Sequence, residues 1–153
     1  AGAPNREIKR LAEFGLLIVQ AFQIQDDIIG IFETEKAIGK SILSDLEEQK
    51  KTLLIVHAFK ALRGQARAKF LKIFLKPKKD LADLEAVKKI LVEAGSLAYA
   101  LKAVQARTVK ADAILKRLTM APEYRNLIGT SLFKLFQQSQ VIADAWNIPV
   151  KVK

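Results

Sequence analysis

The sequence predicts an all-α fold, and three observations carry that prediction. Apolar residues recur at three- and four-residue spacing along most of the chain. No stretch alternates with the two-residue period of a strand. Seven glycines and four prolines in 153 residues are too few for a linker or a disordered chain, and Gly64, Pro77, Gly95 and Pro122 fall between the periodic segments. Half of the residues are hydrophobic, and the length suits a single domain, residues 1–153, with one core.

Pro4-Asn5 supplies an N-cap, and a first helix runs from near Arg6 through Asp27 to about Phe32. The polar segment from Glu33 to Lys51, with Gly39 inside it, reads as a long, partly ordered loop; loops of that length in compact domains are often functional. A second helix spans about Thr52 to Arg63, Gly64 breaks it, and Gln65 to Leu75 form a third. Lys76-Pro77-Lys78-Lys79 is a turn. Asp80 or Asp83 then caps a helix through Glu93 that ends at Gly95. Ser96 begins a long helix to about Leu118, with Leu97, Leu101, Val104, Ala111 and Leu115 on one stripe. Pro122 opens a final helix reaching Ala145, and the tail Ile148-Pro149-Val150-Lys151 reads as extended.

Composition excludes several chemistries. With no cysteine there is no disulfide scaffold and no thiolate metal site, which is consistent with a cytoplasmic protein. The start, Ala1-Gly2-Ala3-Pro4-Asn5-Arg6, lacks the basic-then-apolar order of a signal peptide. Two aspartates and three glutamines in the apolar stretch Leu16 to Phe32 argue against a membrane span. A net charge of +10 suggests anionic partners. The lysines nevertheless read as scattered through the helices, clustering only at Lys76 to Lys79, and Tyr99, Tyr124 and Trp146 are too dispersed to form a platform for bases. Charge alone does not point to nucleic acid.

The informative run is Phe22-Gln23-Ile24-Gln25-Asp26-Asp27, two adjacent carboxylates in a helix that is otherwise apolar on most of its circumference. Such a pair stays ionised only near cations. Gln23, Asp26 or Asp27, and position 30 share a face at i, i+3/i+4 and i+7. A carboxylate pair suits Mg²⁺, which takes oxygen ligands and bridges to phosphates; a solvent-facing helix edge is the alternative. Downstream, Gly39-Lys40 and Lys50-Lys51-Thr52 bracket Asp45, and Lys50 to Thr52 lie at a helix start, which favours anions. A solvated charge run is the competing account, since Glu33, Glu35, Asp45, Glu47 and Glu48 outnumber the lysines there. Acidic pair, loop and lysines in that order fit a magnesium diphosphate site. His57, the single histidine, reads as a core or rim residue, and Asp80 with Asp83 as a helix cap; neither supports transition-metal or Cys/His nucleophile chemistry.

Taken together, Ala21-Phe22-Gln23-Ile24-Gln25-Asp26-Asp27, Gly39-Lys40, Ser44-Asp45-Leu46 and Lys50-Lys51-Thr52-Leu53-Leu54 resemble the trans-polyprenyl diphosphate synthases, which include the farnesyl and geranylgeranyl diphosphate synthases. The likeness covers the second aspartate-rich motif and the lysine loop after it. It implies the C-terminal half of an isoprenoid-synthase helical bundle, in a family whose complete members are about twice as long. It also implies a Mg²⁺-dependent prenyltransferase that condenses an allylic diphosphate with isopentenyl diphosphate in isoprenoid biosynthesis, dimeric when complete. By that resemblance Asp26 and Asp27 are magnesium ligands. Gln23 lies on the cavity wall near the carbocation, and Lys40 and Lys50 contact the allylic diphosphate.

The departures are specific. Gly30 stands where the third aspartate of the motif is usual, as in archaeal-type geranylgeranyl synthases. Val19 stands at a common glycine and is expected to crowd helix packing, while Glu47 and Gln49 replace the usual arginine and glycine before Lys50. The first aspartate-rich motif occurs nowhere in the chain, so the resemblance implies an N-terminal half as partner and an apolar face awaiting it. Two rivals remain at this point: a non-catalytic regulatory or scaffold subunit of a prenyl synthase, and a basic helical nucleic-acid binder whose affinity would fall steeply with salt.

Overall fold

The computed structural model describes residues 2–33 and 43–151. These form seven helices and no strand: α1 (Asn5–Phe32), α2 (Ser44–Glu47), α3 (Leu53–Ala61), α4 (Gly64–Phe74), α5 (Leu81–Glu93), α6 (Ser96–Leu115) and α7 (Pro122–Ala145). The all-α expectation holds, and the boundaries fall within a few residues of those read from periodicity. What periodicity did not show is α2, a single turn within the polar segment after α1. Asn5 does not cap α1 through its side chain; the cap residue is Pro4, whose carbonyl accepts from the Glu7 and Ile8 amides at 2.8 and 3.2 Å. Asp80 and Asp83 form a reciprocal capping box at the start of α5, as expected for a cap.

The core is built on α1 lying along α6, with α3 and α5 also against α6 and α7 crossing both long helices. The stripe Leu97, Leu101, Val104, Ala111 and Leu115 is buried throughout, and Leu97, Leu101 and Val104 share one core with Ala21, Ile24, Ile28 and Ile31 of α1. Each large aliphatic side chain taken from water in this way contributes roughly 1.5–3 kcal/mol. The same core reaches α3 and α4, where Phe59, Phe70 and Phe74 pack ring on ring with centroids 5.1–5.8 Å apart. Gly95 makes the turn between α5 and α6 with φ of 70°, a left-handed conformation that side chains disfavour.

His57 is half-buried on α3. Its Nδ1 lies 3.0 Å from Ser96 Oγ and its ring stacks on Tyr99 at 4.4 Å, a rim residue tying α3 to α6. The tail after α7 is docked rather than free: Val150 is buried, and Gln105 Nε2 donates to the Lys151 carbonyl at 2.6 Å. By length and hydropathy alone α1 could cross a membrane. Its buried face packs on α6, however, and the helix carries Asp26 and Asp27 near its C-terminal end.

Candidate active site

Asp26 and Asp27 lie in the penultimate turn of α1. Asp26 is exposed and makes no salt bridge among the described residues; Asp27 is half-buried. Burial pushes the Asp27 carboxyl above the ordinary carboxylate value, and the neighbouring charges of Asp26 and Asp45 add to that rise. A hydrogen bond from the Gln23 side chain, one turn earlier, and the charge of Lys50 oppose it without cancelling it. Gln23, Asp26, Asp27 and position 30 thus meet at one end of one helix, as their spacing requires.

The floor of this end is made by α2. Asp45 is 5% exposed, and its carboxylate lies directly under Gly30. A Cβ at position 30 would overlap an Asp45 carboxylate oxygen and stand 3.1 Å from its Cγ. The missing third aspartate of the motif therefore has a physical counterpart: the space that a side chain at position 30 needs is filled by Asp45. Lys50 Nζ holds Asp45 Oδ1 at 2.6 Å and Glu48 Oε2 at 3.3 Å, which raises the lysine's pKa while leaving its side chain 43% exposed. Lys50 is thus braced by carboxylates. Lys40 lies outside the described residues.

The turn that presents Lys50 shows why glycine is usual at position 49 and puts strain on the glutamine found there. Gln49 has φ of 51°, a left-handed backbone for which glycine is the natural residue. Thr52 then caps α3, its Oγ1 accepting from the Ile55 amide at 3.4 Å. Val19, expected to crowd helix packing, is 66% exposed on α1 and meets no such crowding among the described residues.

Four contacts that the sequence reading missed fix the acidic end of α1 to α7 and the residue after it. Gln25, adjacent to the pair, turns inward: its Nε2 donates to the Leu135 carbonyl at 2.7 Å and its Oε1 accepts from Ser139 Oγ at 2.7 Å. Gln138 donates to Glu33, and Phe32 packs edge-on against Trp146 with centroids 5.3 Å apart. The one available signal was Ser139, a small polar residue at a core position of the last helix. A cavity of about 540 Å³ between α1, α6 and α7 is lined by Ile18, Val109, Leu132 and Phe136 among others, and by neither carboxylate of the pair.

A match to the polyprenyl synthetase family covers residues 1–91, more than half of the sequence. The chain belongs to the polyprenyl synthetase family. It is 35% identical over 118 residues to the geranylfarnesyl diphosphate synthase of Aeropyrum pernix, a match covering 77% of this chain and 36% of that protein. With the geranylgeranyl diphosphate synthase of Methanosarcina mazei it shares 37% over 98 residues, 64% of this chain and 28% of the relative. Among solved structures, the geranylgeranyl pyrophosphate synthetase of Pyrococcus horikoshii superposes with a TM-score of 0.70 at 28% identity, covering 98% of this chain and 42% of that one. A polyprenyl synthetase from Streptomyces coelicolor gives 0.75 at 26% identity, covering 88% and 41%. This polyprenyl synthetase chain therefore spans about a third of the length of its curated relatives. The likeness extends well past the motif run, since the solved structures also cover the later helices.

Proposed function

We propose that residues 1–153, as one helical unit, are the C-terminal portion of a prenyltransferase that condenses an allylic diphosphate with isopentenyl diphosphate. The reading is supported by one observation above the rest: at the end of a core helix, Asp26 and Asp27 stand together with no salt bridge to a cation among the described residues. Family relatives named as geranylfarnesyl and geranylgeranyl diphosphate synthases supply the substrate class.

The donor set fits Mg²⁺. It is all oxygen, and the raised Asp27 carboxyl, beside a like charge, gains from a bound cation. Among the described residues no group of three or more carboxylates or imidazoles forms a closed cage. Mg²⁺ does not require one, since it commonly takes one or two carboxylates and completes its shell with water and substrate phosphate. Asp26 and Asp27 would hold it, and when bound it supplies Lewis-acid stabilisation to a departing diphosphate.

The chain's own groups do the remainder. Gln23 steadies the Asp27 carboxylate through a side-chain hydrogen bond one turn away, and the family resemblance puts it near the carbocation. Buried Asp45 fixes the direction of Lys50, whose ammonium is a diphosphate contact that needs little reorganisation as negative charge grows on the leaving group. Lys40, outside the described residues, is a second diphosphate contact on the family resemblance alone. The partner is an N-terminal portion carrying the first aspartate-rich motif, with a dimer as the complete, cytoplasmic enzyme. A relative 37% identical over 87 residues, component 2 of the heptaprenyl diphosphate synthase of Geobacillus stearothermophilus, is itself named as one component of an enzyme.

The test is reassembly. The chain is combined with a polypeptide carrying the first motif, and incorporation of labelled isopentenyl diphosphate is measured. Asp26→Ala should lower turnover about a hundredfold or more and remove the Mg²⁺-dependent rise in melting temperature. Turnover unchanged by Asp26→Ala would sink the catalytic reading and leave a non-catalytic subunit.

A further inference from the structure

The positive charge of this chain is not spread over the molecule. Between Gln49 and Lys79 there are ten lysines and arginines and no acidic residue, while the remainder of the sequence holds sixteen of each sign. The whole net charge of +10 therefore sits in 31 consecutive residues that fold as α3, α4 and the turn before α5. Lys51, Lys60, Arg67, Lys69, Lys72 and Lys78 are exposed and have no carboxylate partner among the described residues. On α4, Lys69 and Lys72 project from the side opposite the buried Phe70 and Phe74, with Lys76 continuing their stripe beyond the helix end.

An exposed leucine stands at the centre of this surface. Leu75, 59% exposed, borders two shallow depressions. One is edged by Lys51 and Lys60, the other by Lys72 and by Lys76 with its ion-pair partner Asp83, so three ammonium groups without a carboxylate partner among the described residues and one paired with Asp80 and Asp83 flank the leucine. We propose that this face, Lys51, Lys60, Lys72 and Lys76 around Leu75, is a docking surface for an anionic lipid bilayer. Lysines meet the phosphates of the headgroups, and Leu75 enters the acyl boundary between them.

The chemistry favours a bilayer over nucleic acid. Single strands are gripped by exposed rings on which bases stack. The three phenylalanine rings of this region instead pack on one another, with Phe70 and Phe74 buried and Phe59 half-buried, and the His57 ring is stacked on Tyr99. An aliphatic side chain at the centre of a phosphate-binding surface gains nothing from a wet, charged backbone groove, whereas it is stabilised in a lipid interface. The surface uses none of the residues assigned to the diphosphate site, so it stands or falls apart from that reading.

Co-sedimentation with vesicles tests it. The purified chain is mixed at physiological ionic strength with vesicles of phosphatidylcholine alone, or of phosphatidylcholine with a quarter phosphatidylglycerol. It should pellet with the second and not the first. Lys60→Glu with Lys72→Glu should lower the partition coefficient about tenfold or more. Lys110→Glu with Lys134→Glu, the same change of net charge on exposed positions of α6 and α7, should leave it within about twofold. Leu75→Ser should lower it severalfold with helix content unchanged by circular dichroism. Failure to pellet, equal losses in the two charge-reversed pairs, equal binding by Leu75→Ser, or tighter binding to a short DNA duplex than to the vesicles would each overturn the proposal.

Discussion

Gly30 shows how one missing side chain reshapes a site. Replacing an interior helical glycine by alanine normally stabilises by roughly 0.5–1 kcal/mol, because the backbone loses less entropy on folding. At Gly15, where an added Cβ meets nothing within 4 Å, that gain should appear in full. At Gly30 the same substitution drives a Cβ into the Asp45 carboxylate and loosens its pair with Lys50. There the sign should reverse, to a loss of about 1–3 kcal/mol. Urea unfolding of the two variants side by side decides it, and equal gains would mean that Asp45 does not fill that space. Asp27 offers a second test. Its folded pKa is raised, so the folded state binds the proton more tightly than the unfolded chain. Stability must therefore fall as pH rises from the ordinary carboxylate value of 3.8 through the folded value. Asp27→Asn should be more stable than the parent at neutral pH, with the difference vanishing below pH 3.8 where both carboxyls are protonated. A constant difference across thermal melts at acid and neutral pH would contradict this.

At the scale of elements, the join between α1 and α7 positions the acidic pair. Gln25→Ala strips partners from the Leu135 carbonyl and the Ser139 hydroxyl, and should cost about 2–3 kcal/mol. Gln23→Ala, two residues earlier and exposed, should stay within about 0.5 kcal/mol. Equal effects in denaturant melts would show that the two glutamines are not differently used. The contrast also marks where sequence reading stopped. Helix order, the stripe on α6, a cap at Asp80 or Asp83 and the shared face of Gln23, Asp26 and Asp27 were legible, because each depends on spacing within one segment. Gln25 was not, since its role depends on which neighbour crosses α1, and that contact spans more than 100 residues. The Gly30–Asp45 fit was hidden for the same reason, and α2 because a single turn is too short to show a period. Charge was misread in another way: scanning helix by helix for lysine runs overlooked a long interval without acids.

The whole molecule presents an apolar stripe of the kind expected of one wall of a larger bundle. Ile8, Leu11, Val19 and Phe22 of α1 are each 47–66% exposed and, with Gly15 between them, follow helical spacing toward Asp26. Sedimentation velocity should find that the chain self-associates as its concentration rises. Val19→Lys with Phe22→Ser should return it toward monomer without lowering the melting temperature, as both positions are surface-facing. Association untouched by that pair would place the contact elsewhere. The acid-free interval from Gln49 to Lys79 bears on this too. The rest of the chain is electroneutral, so nearly all the mutual repulsion that keeps molecules dispersed comes from 31 residues. A polyanion that covers them leaves a particle with no net charge and an open hydrocarbon strip, and such particles coagulate. Colloidal stability in this protein is thus regional: the face that keeps molecules apart is distant in sequence from the face that draws them together.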